Sequence, residues 1–323
     1  MKPIASISLD LDNQWSYMKT HGDPDWASFP SYLDVAVPRI LAFLKERDLK
    51  ITFFIVGQDA ALEKNRGAIT AIAEAGHEIA NHSFNHEPWL HLYSRDELVE
   101  EFDKTEAALE NLTGKRPVGF RGPGFSLSPA VLDVLGERDY EYDCSTLPTY
   151  IAPLARAFFF LKSPDVSEEE REKLKKLFGK FSDGFQTLRP HFIEAAGRRL
   201  VEIPVTTFPV VKTPVHASYL MYLFNFSPLA AKAYWKMAVT ACRATGVEPS
   251  LLLHPLDFLC GDDVAVLKFF PGMNVQADRK TEFLNDAIGL LSRRFEIVNM
   301  RKHADLFRNS QQPEAKKMQL ERL

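Results

Sequence analysis

The chain has 323 residues, of which 46% are hydrophobic and 25% are charged, and its formal net charge is -4 at pH 7. This composition is typical of a globular protein and excludes a disordered chain, a collagen-like chain and a coiled coil. The slight excess of acidic residues also argues against a protein that binds nucleic acid.

The cysteines and the apolar runs indicate a reduced, cytoplasmic setting. Cys144, Cys242 and Cys260 are far apart, and an odd number without a C-x-x-C pair argues against a disulfide scaffold and a thiolate zinc site. The apolar run Ile4–Leu9 is too short for a signal peptide. The uncharged stretch Thr213–Ala231 contains two prolines, so we do not expect it to span a membrane.

Short apolar runs alternate along the chain with segments of helical periodicity. The predicted strands are Ile4–Leu9, Ile51–Val56, Glu78–Ala80, Val118–Phe120, Tyr140–Asp143, Leu200–Val205, Leu251–Leu253 and Phe295–Val298. The predicted helices are Leu33–Arg47, Gly67–Ala75, Arg95–Leu112, Ser128–Gly136, Pro228–Thr245 and Arg279–Arg294. Seven or eight strands separated by helices predict an α/β fold with a distorted, TIM-like (β/α) barrel. No G-x-G-x-x-G or Walker loop follows a strand, which argues against a nucleotide-binding fold.

Two segments interrupt this alternation. Residues 151–190 hold the aromatic run Phe158–Phe160 and a charged helix, Ser167–Leu177, and we interpret them as an insertion. The barrel with its insertion is expected to span residues 1–303. Residues 304–323 are polar and are predicted to form a loose C-terminal tail.

Polar residues that suit a metal site follow two of the predicted strands. Asp10 and Asp12 leave the first strand on one side, at the end where barrel enzymes carry out chemistry, although they could also simply cap the strand. His82 and His86 follow the third strand at a spacing suited to one metal ion, although a pair of exposed histidines is the alternative. Together with Asp12 they make the two-histidine, one-carboxylate set of a catalytic zinc site.

Three further strand ends carry candidate functional residues. Arg121 could hold a carboxylate, or could be a surface residue of a turn, and Gly124 would allow close approach to a ligand. Asp143 ends another strand. His254 closes the strand Leu251–Leu253, where it is either a core histidine or a general acid or base.

Two residues are candidates for a supporting or substrate-binding role. Asp257 follows His254 by three positions and could orient it. Trp15 follows the carboxylate pair. Because five strand ends each deliver a titratable or ligand residue, the coincidence favours a catalytic site over five separate structural explanations.

The order of these residues resembles the polysaccharide deacetylases, the NodB-homology group or carbohydrate esterase family four. Asp10 and Asp12 resemble the first motif of the family, and Leu11 between them resembles the intracellular and lipid-linked-sugar members. The second motif, H-[ST]-x-x-H, is matched by residues 82–86.

The later motifs resemble the family less evenly. Arg121 and Pro123 match the R-x-P motif, although Gly124 stands where an aromatic residue is common. Leu251–His254 matches the last motif, L-x-x-H. The fourth motif is poorly matched, since no tryptophan follows Asp143 as expected.

The resemblance implies a role for the matched residues. Asp12, His82 and His86 would hold one divalent metal ion, zinc in the first place, with cobalt, nickel or iron as alternatives. Asp10 would be the general base and Arg121 would keep it charged and oriented.

The resemblance also implies the chemistry of the acid side. His254 would protonate the leaving amine, because an amide cannot expel an amine anion. A backbone N–H near Gly124 would stabilise the oxyanion.

The implied function is that of a metal-dependent hydrolase that removes an N-acyl group from an amino sugar, with acetyl as the first expectation. The alternatives are a linear-amide hydrolase of the allantoinase or acylpolyamine kind, a deformylase of a lipid-linked sugar, and a non-catalytic carbohydrate-binding module on this scaffold. The last alternative is disfavoured because the chain has all six residues that the motifs require, which are Asp10, Asp12, His82, His86, Arg121 and His254.

Two aromatic-rich stretches, Ala157–Leu161 and Tyr219–Phe226, are unusual for loops. We interpret them as a small internal core. The alternative is an apolar rim that meets the inner membrane face or a lipid-linked sugar. The segment Glu202–Pro209 resembles the deformylase of lipid-linked aminoarabinose, which favours this alternative modestly.

Overall fold

The computed structural model describes residues 2–151 and 181–320, and in these ranges one nine-stranded sheet runs through the chain. The strands are β1 (Ile4–Asp10), β2 (Thr52–Ile55), β3 (Glu78–Asn81), β4 (Gly119–Phe120), β5 (Tyr142–Asp143), β6 (His191–Ala195), β7 (Arg198–Glu202), β8 (Ser250–Leu253) and β9 (Glu296–Val298). The α-helices are α1 (Gln14–His21), α2 (Leu33–Lys45), α3 (Gly57–Ala61), α4 (Arg66–Glu74), α5 (Arg95–Thr113), α6 (Pro129–Glu137), α7 (Ala217–Phe226), α8 (Pro228–Thr245), α9 (Ala277–Arg294) and α10 (Met300–Leu320). Within the same ranges, none of these helices has both the length and the apolar character needed to cross a bilayer.

The predicted barrel-type fold is confirmed. The strands are hydrogen-bonded in the order β6-β7-β5-β4-β3-β2-β1-β8, and β9 also pairs with β1. All of these pairs are parallel except β6 with β7. The sheet curls into a half-barrel of the (β/α) type, so the carboxyl ends of its parallel strands meet at one edge.

The antiparallel pair of β6 and β7 was not predicted. A two-residue turn joins the strands, and both of its residues, Ala196 and Gly197, have left-handed backbone (φ 48° and 74°). Such a turn matches the twist of a tight hairpin. Because β6 lies at the edge of the sheet and is only partly buried, its sequence lacks the apolar run that marks the central strands.

The main core lies between the sheet and the helices that cover β1, β2 and β8. All four residues of β2 are buried. Helix α2 turns Val37, Ile40 and Leu44 into this core, which is the spacing that predicted the helix. The apolar strands and amphipathic helices therefore account for the packing that supports the strand ends.

The stretch Tyr219–Phe226, treated above as part of a loop, lies in helix α7. Leu220, Met221 and Phe224 are buried in the main core, whereas Phe226 is exposed. The aromatic residues on both sides of this helix hid its period in the sequence. The expected partner stretch, 157–161, lies outside the described residues, as do the aromatic run and the charged helix of the predicted insertion.

Residues 304–320, which were predicted to form a loose C-terminal tail, belong to helix α10. Met300 and Ala304 are fully buried, and Phe307 packs on the same cluster. These positions share one face of a helix, so a short apolar face is enough to fix an otherwise polar segment on the sheet. The expected domain boundary at residue 303 stays a prediction.

We predict that Gly119→Ala lowers the free energy of unfolding by about 1–3 kcal/mol, because a Cβ on Gly119 would lie 1.9 Å from the buried ring of Tyr142. Gly67→Ala is the matched control, since a Cβ there meets no heavy atom within 4 Å and alanine favours the helix. Urea unfolding measures both variants. A Gly119→Ala protein as stable as wild type would contradict the close packing of β4 on β5.

Candidate metal centre and active site

Four of the predicted functional side chains come from the ends of parallel strands. β1 ends at Asp10, and β3, β4 and β8 end one residue before His82, Arg121 and His254. The carboxyl ends of such strands form the ligand-binding edge of α/β folds. The fold therefore brings these four residues to one edge, as the sequence predicted.

Asp12, His82 and His86 form a cup in which one ligand atom of each residue lies within 4.8 Å of the others. Asp12 Oδ1 is 3.0 Å from His86 Nε2 and 3.4 Å from His82 Nε2. His82 Nδ1 lies 2.6 Å from the carbonyl oxygen of Arg121, so Nδ1 carries the proton and Nε2 keeps a lone pair for a ligand. A buried carboxylate with two imidazoles is a donor set that fits a divalent transition metal.

The charges in the cup keep Asp12 ionised. Burial acts to raise the pKa of Asp12, but His86 and His82 outweigh burial and hold the pKa well below its usual value. Burial likewise acts to lower the pKa of His82, but the carboxylates of Asp10 and Asp12 outweigh it and raise the pKa. The ionised carboxylate of Asp12 therefore attracts a positively charged group into the cup.

The segment between the two histidines is a loop. Ser83 and His86 have left-handed backbone (φ 60° and 51°), which turns the second imidazole back toward the first. Glu101, buried in α5, accepts hydrogen bonds from the backbone N–H groups of Phe84 (2.8 Å) and Asn85 (3.0 Å). Sequence reasoning missed Glu101, because a glutamate in a helix is usually a solvated residue.

Arg121 is fully buried and holds Asp10. Its Nη1 donates to Asp10 Oδ1 at 2.6 Å and to Ser8 Oγ at 2.9 Å, and its Nε donates to the carbonyl of Cys144 at 3.0 Å. The other oxygen of Asp10 lies 3.8 Å from His82 Nε2, at the side of the cup. The surface-turn alternative for Arg121 is therefore wrong.

His254 approaches the cup from the other oxygen of Asp12. Its Nε2 lies 4.0 Å from Asp12 Oδ2, and the hydroxyl of Tyr17 lies 3.3 Å from the same oxygen. Asp257 contacts the backbone N–H of His254 (2.7 Å) and reaches its ring only through Ser218. Tyr17 and Ser218 come from helices, so no strand-end signal marked them in the sequence.

A family model described as polysaccharide deacetylase matches residues 26–142. The predicted resemblance to the polysaccharide deacetylases is confirmed over this segment. The matched segment contains His82, His86 and Arg121. Asp10, Asp12 and His254 lie outside it and reach the same edge through the fold.

Curated proteins match the chain over part of their length. It is 32% identical over 122 residues to the uncharacterized protein YlxY of Bacillus subtilis, covering 36% of this chain and 37% of that protein. It is 25% identical over 154 residues to a peptidoglycan deacetylase of Helicobacter pylori, covering 46% of this chain and 52% of that protein. The chain thus spans about half of these relatives, or less.

The fold is shared over a longer range. A solved structure of a candidate polysaccharide deacetylase from Mycobacterium smegmatis superposes with a TM-score of 0.63 and 20% identity. The superposition covers 96% of this chain and 92% of the other. At this identity the likeness establishes the common fold.

Asp143 was expected to lie at the mouth of the barrel, at the end of its strand. It is instead fully buried. It accepts hydrogen bonds from the Ser145 hydroxyl (2.6 Å) and backbone, and Ser145 Oγ in turn accepts from Gly122 N–H (2.8 Å). Burial and the neighbouring Asp143 raise the pKa of Glu202 well above its usual value. Through Ser145, Asp143 thus holds Gly122 in the turn that follows Arg121.

Gly124 lies in this turn with left-handed backbone (φ 59°), and a Cβ there would lie 3.3 Å from Pro88 Cβ. A glycine is favoured on both counts. The aromatic residue that is common in the family at this position would be strained here, which explains the departure.

Trp15 lies behind the cup and is only 1% exposed, so it offers no surface to a substrate. Its ring packs edge-on against His86, and its Nε1 donates to Asp59 Oδ1 at 3.0 Å. Asn13 and Asn65 donate to the same oxygen, at 2.7 and 2.9 Å. Burial is the main cause that raises the pKa of Asp59 to about 7.

We predict that Asp59→Asn changes how stability depends on pH. Between pH about 4 and about 7 the folded protein keeps a proton on Asp59 that the unfolded chain has released, so rising pH favours unfolding. Urea unfolding across pH 5–8 should show wild type losing stability relative to Asp59→Asn up to about pH 7.

Asp263→Asn is the control, because hydrogen bonding to Arg39 lowers the pKa of Asp263 to about 2 and confines its effect to lower pH. Parallel profiles of wild type and Asp59→Asn over the whole range would show that Asp59 does not retain its proton in the folded state.

Proposed function

We propose that the chain is a metal-dependent hydrolase that removes an N-acyl group, in the first place acetyl, from an amino sugar. The observation that carries this proposal is the cup of Asp12, His82 and His86, flanked by Asp10 on one side and His254 on the other. A metal site between a base and an acid is the arrangement that hydrolysis of an amide requires.

Asp12, His82 and His86 would hold the metal ion, with zinc as the first expectation and cobalt, nickel or iron as alternatives. A bound divalent ion supplies an electrophile that acidifies water and polarises a carbonyl oxygen. The fixed tautomer of His82 supports its role, since ligating imidazoles donate their other N–H to an acceptor.

Asp10 would take the proton from the attacking water. The short hydrogen bond from Arg121 holds one oxygen of Asp10 and thereby fixes the direction of the second oxygen. A buried guanidinium needs this carboxylate as its partner, so the two groups act as a unit.

His254 would protonate the nitrogen of the leaving amine through Nε2, which faces Asp12. Base and acid then act from different sides of the cup. The turn after Arg121 would serve the oxyanion: the N–H groups of Gly122 and Phe125 donate within the protein, which leaves the Gly124 N–H as the candidate donor.

An uncharged N-acylated sugar is a better fit than a small anionic amide. A guanidinium at the mouth would favour an anionic substrate, whereas Arg121 is fully buried on Asp10. Release of acetate or formate from a panel of N-acylated sugars, peptidoglycan fragments, allantoin and acylpolyamines distinguishes these substrate classes. Carbohydrate binding without release of any acid would favour the non-catalytic alternative.

We predict that Asp10→Asn keeps the metal but lowers kcat by about 10²–10⁴, because it loses the base and not a ligand. Metal content by elemental analysis and acid release measure the two effects, and Asp12→Ala is the contrasting variant that should lose metal. Full activity of Asp10→Asn would show that another group is the base.

We predict that Glu101→Gln weakens metal binding by roughly 10-fold or more. Both backbone N–H groups that hold the loop carrying His86 donate to one oxygen of Glu101, and Asn85 Nδ2 donates to the other oxygen, which an amide NH2 group cannot replace as an acceptor. Glu97→Gln, an exposed residue of the same helix, is the matched control. Titration with zinc and a competing chelator gives the Kd. Equal affinities of wild type and Glu101→Gln would mean that the loop is held by its other contacts.

A further inference from the structure

Helix α7 brings a hydroxyl group to the acid side of the site. Ser218 lies in the first turn of α7, and its neighbours Ala217, Leu220 and Met221 are buried in the core and fix the position of the helix. The N-cap of α7 is His216, so the hydroxyl of Ser218 is not needed to cap the helix.

The hydroxyl of Ser218 lies between two functional groups. Its Oγ is 3.0 Å from His254 Nδ1 and 3.0 Å from Asp257 Oδ1. The other oxygen of Asp257 accepts the backbone N–H of His254 at 2.7 Å. Asp257 is buried, so its two oxygens are committed to these contacts.

The direction of the hydrogen bonds follows from the chemistry of the groups. Both oxygens of Asp257 face donors, which is the arrangement of an ionised carboxylate, so the Ser218 hydroxyl proton points to Asp257. Ser218 Oγ can then only accept from His254 Nδ1. The neutral imidazole of His254 therefore carries its proton on Nδ1, and Nε2 is the nitrogen that faces Asp12.

We propose that Ser218 is a positioning residue that links Asp257 to His254 and fixes the tautomer of the imidazole. This inference rests on the proposed role of His254 as the acid. In the acid step the proton passes from His254 Nε2 to the amide nitrogen as the C–N bond breaks, and the Nδ1 proton stays on its hydrogen bond to Ser218. The imidazolium is thereby oriented toward the cleft by a carboxylate that does not touch the ring.

The proposed role of Ser218 predicts different effects on substrates that have different leaving groups. An amine leaving group needs the proton from His254, whereas the phenolate of an activated aryl acetate leaves without one. Loss of orientation at His254 should therefore affect amides more than aryl esters. A general distortion of the metal cup would affect both.

The test compares full-length, zinc-loaded wild type with Ser218→Ala, Ser218→Thr and the control Ser292→Ala, an exposed serine of α9. With an N-acetylated sugar as substrate, Ser218→Ala should lower kcat roughly 10- to 100-fold with little change in KM. Hydrolysis of 4-nitrophenyl acetate should change by less than about 2-fold, well below the effect expected for a residue that supports a reacting group. Ser218→Thr, which keeps the hydroxyl, should restore most of the lost rate.

Nitrogen-15 NMR of the histidine side chains tests the link without any turnover. We expect His254, assigned with a His254→Gln variant, to carry its proton on Nδ1 in wild type and to become a mixture of tautomers in Ser218→Ala. An unchanged tautomer, or equal losses on amide and ester, would overturn the proposal. If wild type releases no acid from any N-acylated sugar, the proposed function fails, and the tautomer alone still decides whether Ser218 positions His254.

Discussion

The ion pair between Arg121 and Asp10 joins two strands that are not neighbours. Arg121 follows β4 and Asp10 ends β1, with β3 and β2 between them. In a flat sheet these strands would lie about 14 Å apart, and their side chains would stand perpendicular to the sheet. A contact of 2.6 Å therefore requires the sheet to curl. Because an unpaired buried guanidinium is costly, the curl of the sheet and the pairing of Arg121 with Asp10 depend on one another.

The same pairing sets the charge of the site. Arg121 balances one of the two carboxylates, and the other, Asp12, faces the imidazoles of His82 and His86. One uncompensated carboxylate beside two imidazole nitrogen donors favours a cation over an anionic ligand. The two oxygens of Asp12 divide the site, since one faces the cup and the other faces His254. This division keeps Asp10 and His254, the proposed base and acid, on different sides of Asp12.

The part of the site that the sequence predicted is the part built on strand ends. Asp10, His82 and Arg121 each lie at the carboxyl end of a predicted strand, so their position could be deduced from the parallel sheet alone. Ser218 and Glu101 could not be found in this way, because each is an ordinary polar residue of an amphipathic helix whose rotation depends on packing. The hairpin of β6 and β7 and the buried face of α10 were missed for a related reason, since neither has a long apolar run.

The residues at strand ends and the residues on helices also lie in different parts of the site. Asp10, the proposed base, lies at the end of a strand of the hydrogen-bonded sheet. His254, the proposed acid, lies at the turn after β8, and its partner Ser218 lies in α7. The turn is held by Lys280, which is buried and donates to the carbonyls of Leu256 (2.9 Å) and Leu259 (2.7 Å). Burial is the main cause that lowers the pKa of Lys280 to about 8. A few side-chain contacts thus position His254, whereas the main-chain hydrogen bonds of the parallel sheet position Asp10 and His82.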